Sequence, residues 1–280
     1  MFESNSRNNP HKPARHQPAV KIIQITDLHL TADNALLFGS NPQERLNAAV
    51  DSLLRDHHDA AFCLLSGDLA DAGADSAYAA LAAITARLPM PVYPLVGNHD
   101  DRRALIRAWP SLHIDDSGFI QTAIDTPHGR FLLLDTLEPG KPWGEYCTRR
   151  QTWLRKQLQD ESAQCFWIVM HHPPLAVGIP SMDQYALKDP QTFYALVAPF
   201  QSRIRHLFFG HLHRPIGGSW HGIPFSVVRS PNHQVALDMQ TSPEVPGCHE
   251  APGYGVVLID ETTVVVHHHD FQTHGARFWL

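Results

Sequence analysis

The sequence predicts an α/β domain that opens on parallel strands. Two observations carry that prediction. Over residues 20–96, short apolar runs alternate with segments of helical period, the pattern of βαβ units. Five predicted strand ends also finish in carboxylate, imidazole or amide side chains. In open α/β sheets, ligand sites lie at the carboxyl ends of the strands.

The elements follow in order. Val20–Thr26 is rich in β-branched residues and reads as a buried strand. Asn41, Pro42 and Glu44 then announce a helix: a cap, a proline suited to the first helical position, and the acid of a capping box. Leu46, Ala49, Val50, Leu53 and Leu54 place one apolar face on that helix. Ala61–Leu65 suits a central strand. A second helix is expected from Asp75 to about Leu88, ended by Pro89 and Pro91. Val92–Val96 is the third strand. Phe119–Ile124 and Arg130–Leu134 read as a hairpin, and Thr148–Leu158 as a helix. Cys165–Met170 and His206–Phe209 are apolar strands. From residue 224 the chain is strand-rich, with Phe225–Val228, Gly255–Ile259 and Thr263–His267. The His267–Asp270 run reads as an exposed edge.

The domain reading is a flexible, Pro-rich tail over 1–19 and one domain over 20–280. Residues 238–253 are expected to form a long surface loop serving as a cap or interface. Among 280 residues, 43% are hydrophobic, enough for a sizeable core. The formal charge of −6 argues against a nucleic-acid polymer as partner. No apolar stretch approaches the ~18 residues of a membrane span, and the N-terminus has no secretory h-region, so a cytoplasmic protein is expected. The four cysteines read as free buried thiols.

The strand ends carry the chemistry. They read Asp27-Leu-His29, Gly67-Asp68, Gly97-Asn98-His99-Asp100, His171-His172 and Gly210-His211-Leu-His213. Asp, Asn and His mix hard oxygen with borderline nitrogen donors, which suits Mn, Fe, Co, Zn or Ni. Asp27 and His29 are two apart, as are His211 and His213, so on extended backbone each pair shares a face. Asp27, His29, Asp68, Asn98, His171, His211 and His213 are too many for one zinc. They suit two metals that share a carboxylate.

These five blocks, in this order over residues 20–215, resemble the calcineurin-like metallophosphoesterases. The stretches 171–187 and 208–225 are similar to the bacterial class III cyclic-nucleotide phosphodiesterases, with glycerophosphodiesterases as near kin. The resemblance implies a four-layer αββα sandwich of two mixed sheets flanked by helices. It implies two divalent metal ions (Mn, Fe, Co or Zn), one held by Asp27, His29, Asp68 and His213. Asp68, Asn98, His171 and His211 would hold the other, with Asp68 bridging. The implied reaction is in-line attack on phosphorus by metal-bound hydroxide. His99 is the expected transition-state stabiliser or general acid. Asp100 is expected either to orient His99 or to cap the following helix. Relatives form dimers or higher oligomers, so a homo-oligomer is expected.

The substrate class follows from one departure. Phosphoprotein phosphatases of this superfamily carry Arg in a GDxxDRG pattern, where this chain has Ala72. Without that Arg, a singly charged diester is favoured over a monoester. A small-molecule phosphodiester is therefore expected, with cyclic nucleotides first and glycerophosphodiesters second. A catalytically silent scaffold would lack ligands, and here the set is complete. Met182, Asp183 and Tyr185 either line the pocket or sit on a surface loop that packs on its own scaffold, and His233 either reaches the site or, the favoured reading, lies on a surface loop.

Overall fold

The computed structural model describes residues 19–240, 243–272, 275, 278 and 279. The expected N-terminal tail therefore lies outside the described residues, apart from Ala19. In chain order the elements are β1 (Val20–Ile25), α1 (Pro42–Asp56), β2 (Phe62–Ser66), α2 (Asp75–Thr85), β3 (Val92–Leu95) and α3 (Arg102–Ala108). Then come β4 (Thr122–Thr126), β5 (Gly129–Leu134), α4 (Thr148–Leu158), β6 (Phe166–Met170), α5 (Pro180–Asp183), α6 (Pro190–Val197) and β7 (Ile204–Phe209). The chain ends with β8 (Ile216–Trp220), β9 (Ile223–Val227), β10 (Gln234–Val235), β11 (Gly247–Cys248), β12 (Gly253–Ile259) and β13 (Val264–Asp270).

Two large sheets dominate. One runs β13-β12-β1-β2-β3 and the other β4-β5-β6-β7-β9-β8. Both are mixed: β1 pairs parallel with β2 and antiparallel with β12, and β5 pairs antiparallel with β4 and parallel with β6. The core divides accordingly. Ile22, Phe62 and Leu64 of the first sheet meet Phe131, Trp167 and Phe208 of the second in a layer between the sheets. A second cluster packs Leu46, Val50 and Leu53 of α1 and Tyr78 and Leu81 of α2 on the outer face of the first sheet. A third packs Leu154 and Leu158 of α4 and Phe193 and Val197 of α6 against the second sheet. The layers are helix, sheet, sheet, helix, as the resemblance implied. A middle layer apolar on both faces explains why β2 and β6 are buried at every position and show no alternation.

Local chemistry sets the boundaries. Asn41 caps α1 through its side chain, which accepts from Glu44 N at 3.1 Å. The second helix stops at Thr85, three residues short of the expected Leu88. Thr85 Oγ1 donates back to Leu81 O at 2.8 Å, a bond that competes with helix continuation. The strand expected at Phe119–Ile124 is shifted to Thr122–Thr126. Asp115 is the reason: its carboxylate accepts from Ser117 N and Phe119 N and turns the chain before the strand begins. β13 extends to Asp270 and lies at the end of its sheet, so the His267–His269 run is on an edge strand. Within the expected 238–253 loop, Gly247–Cys248 pairs with Gln234–Val235 as a small ribbon. All four cysteines are free, but only Cys63 is buried; the others are half-buried. Among the described residues, no helix is long and apolar enough to cross a membrane.

Candidate metal centre

Every strand that ends in a polar block points it to the same place. β1, β2, β3, β6 and β7 deliver Asp27, Asp68, Asn98, His171 and His211 from their carboxyl ends. Backbone bonds stitch the loops together: Asp27 N donates to Gly67 O at 3.0 Å and His29 N to Asp68 O at 2.9 Å. The ligand pairs do not share a face through extended backbone, as their spacing suggested. Asp27 and His29 have φ of 56° and 48°, Asp68 50°, and His211 and His213 69° and 49°. Left-handed backbone at five non-glycine positions is unfavourable and persists only where the surroundings over-determine it. Here it turns each loop so sharply that the side chains aim inward.

Asp27, His29, Asp68 and His213 bring ligand atoms within 4.8 Å of one another. His29 Nε2 and His213 Nε2 are 3.2 Å apart, two nitrogens turned on one point. Asp68 is shared with a second group. Its Oδ2 lies 3.6 Å from His29 Nε2 and 3.3 Å from His171 Nε2. Its Oδ1 accepts from His99 N at 2.9 Å. Four buried atoms, Asp27 Oδ2, Asn98 Oδ1, His171 Nε2 and His211 Nε2, have no hydrogen-bond partner. Orphaned buried polar atoms are costly unless something else satisfies them. Divalent cations would satisfy all four, so the residues present fit metal binding.

The surroundings prepare the ligands. His171 Nδ1 is 2.9 Å from Ser66 O and His213 Nδ1 is 2.9 Å from His233 O, which leaves each Nε2 free to coordinate. His29 Nδ1 lies 3.3 Å from Asp71 Oδ1. Burial, with His29 beside it, depresses His213 to about 3. Burial and His171 hold His211 well below the ordinary histidine range. Both rings are thus neutral, the form that binds metal. For His171, burial is outweighed by Asp68 and Asp27, which raise it to about 9. Burial lifts Asp27 to about 6, against the pull of His171. Asp68 is also opposed by burial, yet His171 holds it well below the usual carboxylate range. The glycines are spatial requirements: a Cβ on Gly97 would lie 2.6 Å from His171 Nε2, and one on Gly67 2.7 Å from His171 Cγ.

A cavity of ≈ 550 Å³ opens on this cluster, a size suited to a small molecule. His29, Asp68, Asn98, His99, His211 and His213 line it. Phe38, Met182, Tyr185, Val235 and Val245 give it an apolar wall. Asp183 is not on that wall: its carboxylate accepts from Val177 N at 2.7 Å and Gly178 N at 3.1 Å, holding the loop that carries Met182. His99 is 40% exposed in the cavity mouth, with Nδ1 2.8 Å from Asp71 O.

Two expectations change. Asp100 neither orients His99 nor caps a helix. Its buried carboxylate accepts from Leu69 N (3.1 Å), Ala70 N (3.0 Å), Gly97 N (2.8 Å) and Tyr78 OH (2.8 Å), locking the β2 loop to the β3 loop. Asp101 caps α3 instead, accepting from Ala104 N at 2.8 Å, and Asp71 is the group that holds His99. Of its two readings, His233 takes the less favoured one and reaches the site. Its ring lies 4.6 Å from His213 and 5.1 Å from His29, centroid to centroid. Phe38 had no distinguishing signal in the sequence; Asp71 stood as the second Asp of Gly67-Asp-Leu-Ala-Asp71, but only the fold gives it a role beside His99.

A family model described as calcineurin-like phosphoesterase matches residues 20–215. The chain belongs to that family. It is a phosphoester hydrolase. It is 37% identical to a probable cyclic nucleotide phosphodiesterase of Rhodopseudomonas palustris, over 93% of this chain and 96% of that one. It is 30% identical to a 3′,5′-cyclic adenosine monophosphate phosphodiesterase of Pseudomonas aeruginosa, over 70% of each chain. In fold it is similar to a dimetal phosphatase of Danio rerio, with TM-score 0.63 at 14% identity, over 89% of this chain and 99% of that one.

Proposed function

We propose that this phosphoesterase is a dinuclear, metal-dependent phosphodiesterase that hydrolyses 3′,5′-cyclic nucleotides, cyclic AMP foremost, to 5′-nucleotides. The observation that carries the reading is Asp68 Oδ2, which faces His29 and His171 at once, among four buried candidate ligand atoms that lack hydrogen-bond partners. Asp27, His29, Asp68 and His213 would hold one cation, and Asp68, Asn98, His171 and His211 the other. Bound there, two cations supply Lewis acidity toward the phosphoryl group and activation of a water nucleophile.

The chain's own residues do the rest. The cluster lines the same cavity as the apolar wall, so the scissile phosphate would bind at the cluster and the rest of the substrate would meet that wall. His99 Nδ1–H donates a hydrogen bond to the Asp71 backbone O at 2.8 Å, which fixes the ring and leaves Nε2 for the substrate. When protonated on Nε2, His99 donates to the departing alkoxide. Asp71 and Asp100 position; neither needs to touch substrate. Ala72, where an Arg would read a second phosphate charge, leaves the site suited to diesters. The cyclic-nucleotide names of the two relatives support the substrate class.

The test is product release from manganese-loaded protein offered cyclic AMP and, separately, glycerophosphocholine at equal concentration. The expected result is 5′-AMP formed with the higher kcat/KM. A preference for the glycerol diester would contradict the substrate assignment and leave a glycerophosphodiesterase.

A further inference from the structure

We infer that Phe38 is a specificity-determining residue that stacks on the nucleobase of the substrate. The inference rests on the cyclic-nucleotide reading of the same cavity.

Phe38 is 67% exposed, yet its side chain lines the cavity. It sits at the tip of a tight turn. Leu37 N donates to Ser40 O at 2.8 Å and Ser40 N to Leu37 O at 3.0 Å, which leaves Phe38 and Gly39 as a two-residue loop. Both are left-handed, with φ of 49° and 81°. A turn of that kind favours Asn-Gly or Asp-Gly, because an L residue with a bulky side chain is strained there. Phe38 therefore does not serve the turn. An exposed aromatic ring on strained backbone is a feature whose benefit must lie outside local structure.

Its surroundings say where. The Phe38 ring meets the His233 ring edge-on, with centroids 4.8 Å apart. His233 in turn lies 4.6 Å from His213 and 5.1 Å from His29. The ring thus stands two ring contacts from the ligand cluster that takes the phosphate. In a nucleotide a ribose separates phosphate from base, so a base reaches outward from the cluster toward such a ring. An exposed aromatic face gains most from a planar π-system and nothing specific from a bare glycerol.

The test compares cyclic AMP with ribose 3′,5′-cyclic phosphate carrying no base, which keeps the scissile chemistry constant. Phe38→Asn is the variant to use, since Asn-Gly suits the turn and removes only the ring. It should raise KM for cyclic AMP by about ten- to a hundredfold, with kcat little changed and the abasic substrate unaffected. Phe38→Trp should restore the low KM. Equal losses on both substrates, or no loss on either, would overturn the stacking role. A wild-type enzyme that cleaves glycerophosphocholine and neither cyclic substrate would overturn the functional reading itself. A Phe38→Asn loss confined to glycerophosphocholine would assign the ring to a cationic headgroup and also overturn the inference.

Discussion

Asp68→Ala lowers kcat/KM for cyclic AMP by about a thousandfold or more, and the loss is not rescued by excess metal. Its Oδ2 is the atom that faces both His29 and His171, so one substitution would weaken both proposed cation positions. Losing several kcal/mol of transition-state stabilisation corresponds to about three powers of ten in rate. The fold should survive at a lower melting temperature, because Asp68 lies outside the three core clusters although its carboxylate accepts from His99 N and faces His171. Circular dichroism melts of the variant check that point. Activity within tenfold of wild type, in a folded variant, would remove Asp68 from the reaction.

His99→Ala has the second-largest effect, and it depends on the leaving group. General acid catalysis contributes about 10²–10⁴-fold, so cyclic AMP, which expels a basic ribose alkoxide, should lose about that much. A nitrophenyl diester needs no proton on its leaving oxygen and should lose far less. His99 also offers its backbone N to Asp68 Oδ1 at 2.9 Å, a contact that the substitution keeps. The comparison therefore isolates the imidazole. Equal losses on both substrates would mean that the ring stabilises phosphoryl charge instead of protonating the alkoxide.

The parts of this site that were legible in the sequence are those written as short motifs. Each motif follows an apolar strand, and parallel strands deliver their ends to one edge, so Asp27, Asp68, Asn98, His171 and His211 could be brought together from order alone. What stayed hidden was conformation. The left-handed backbone of Asp27, His29 and Asp68 is set by bonds between loops, such as Asp27 N to Gly67 O at 3.0 Å, and those loops are forty residues apart in the chain. Asp100 shows the same limit. Its partners Leu69, Ala70 and Tyr78 lie on another strand–helix unit, while the neighbour it was expected to serve, His99, is bound by Asp71. His233 and Phe38 reach the cavity from loops with no motif, through ring contacts that only tertiary packing creates. Strand β8, with Gly217 and Gly218, was invisible for a different reason: glycines carry no strand signal, and antiparallel pairing with β9 forms it.

The most direct measurement of the central claim is metal content per chain. Protein stripped with chelator, reloaded with manganese and freed of excess ion should hold two ions per chain by elemental analysis, and hydrolysis of cyclic AMP should rise with the second. A single ion per fully active chain would contradict a centre bridged by Asp68.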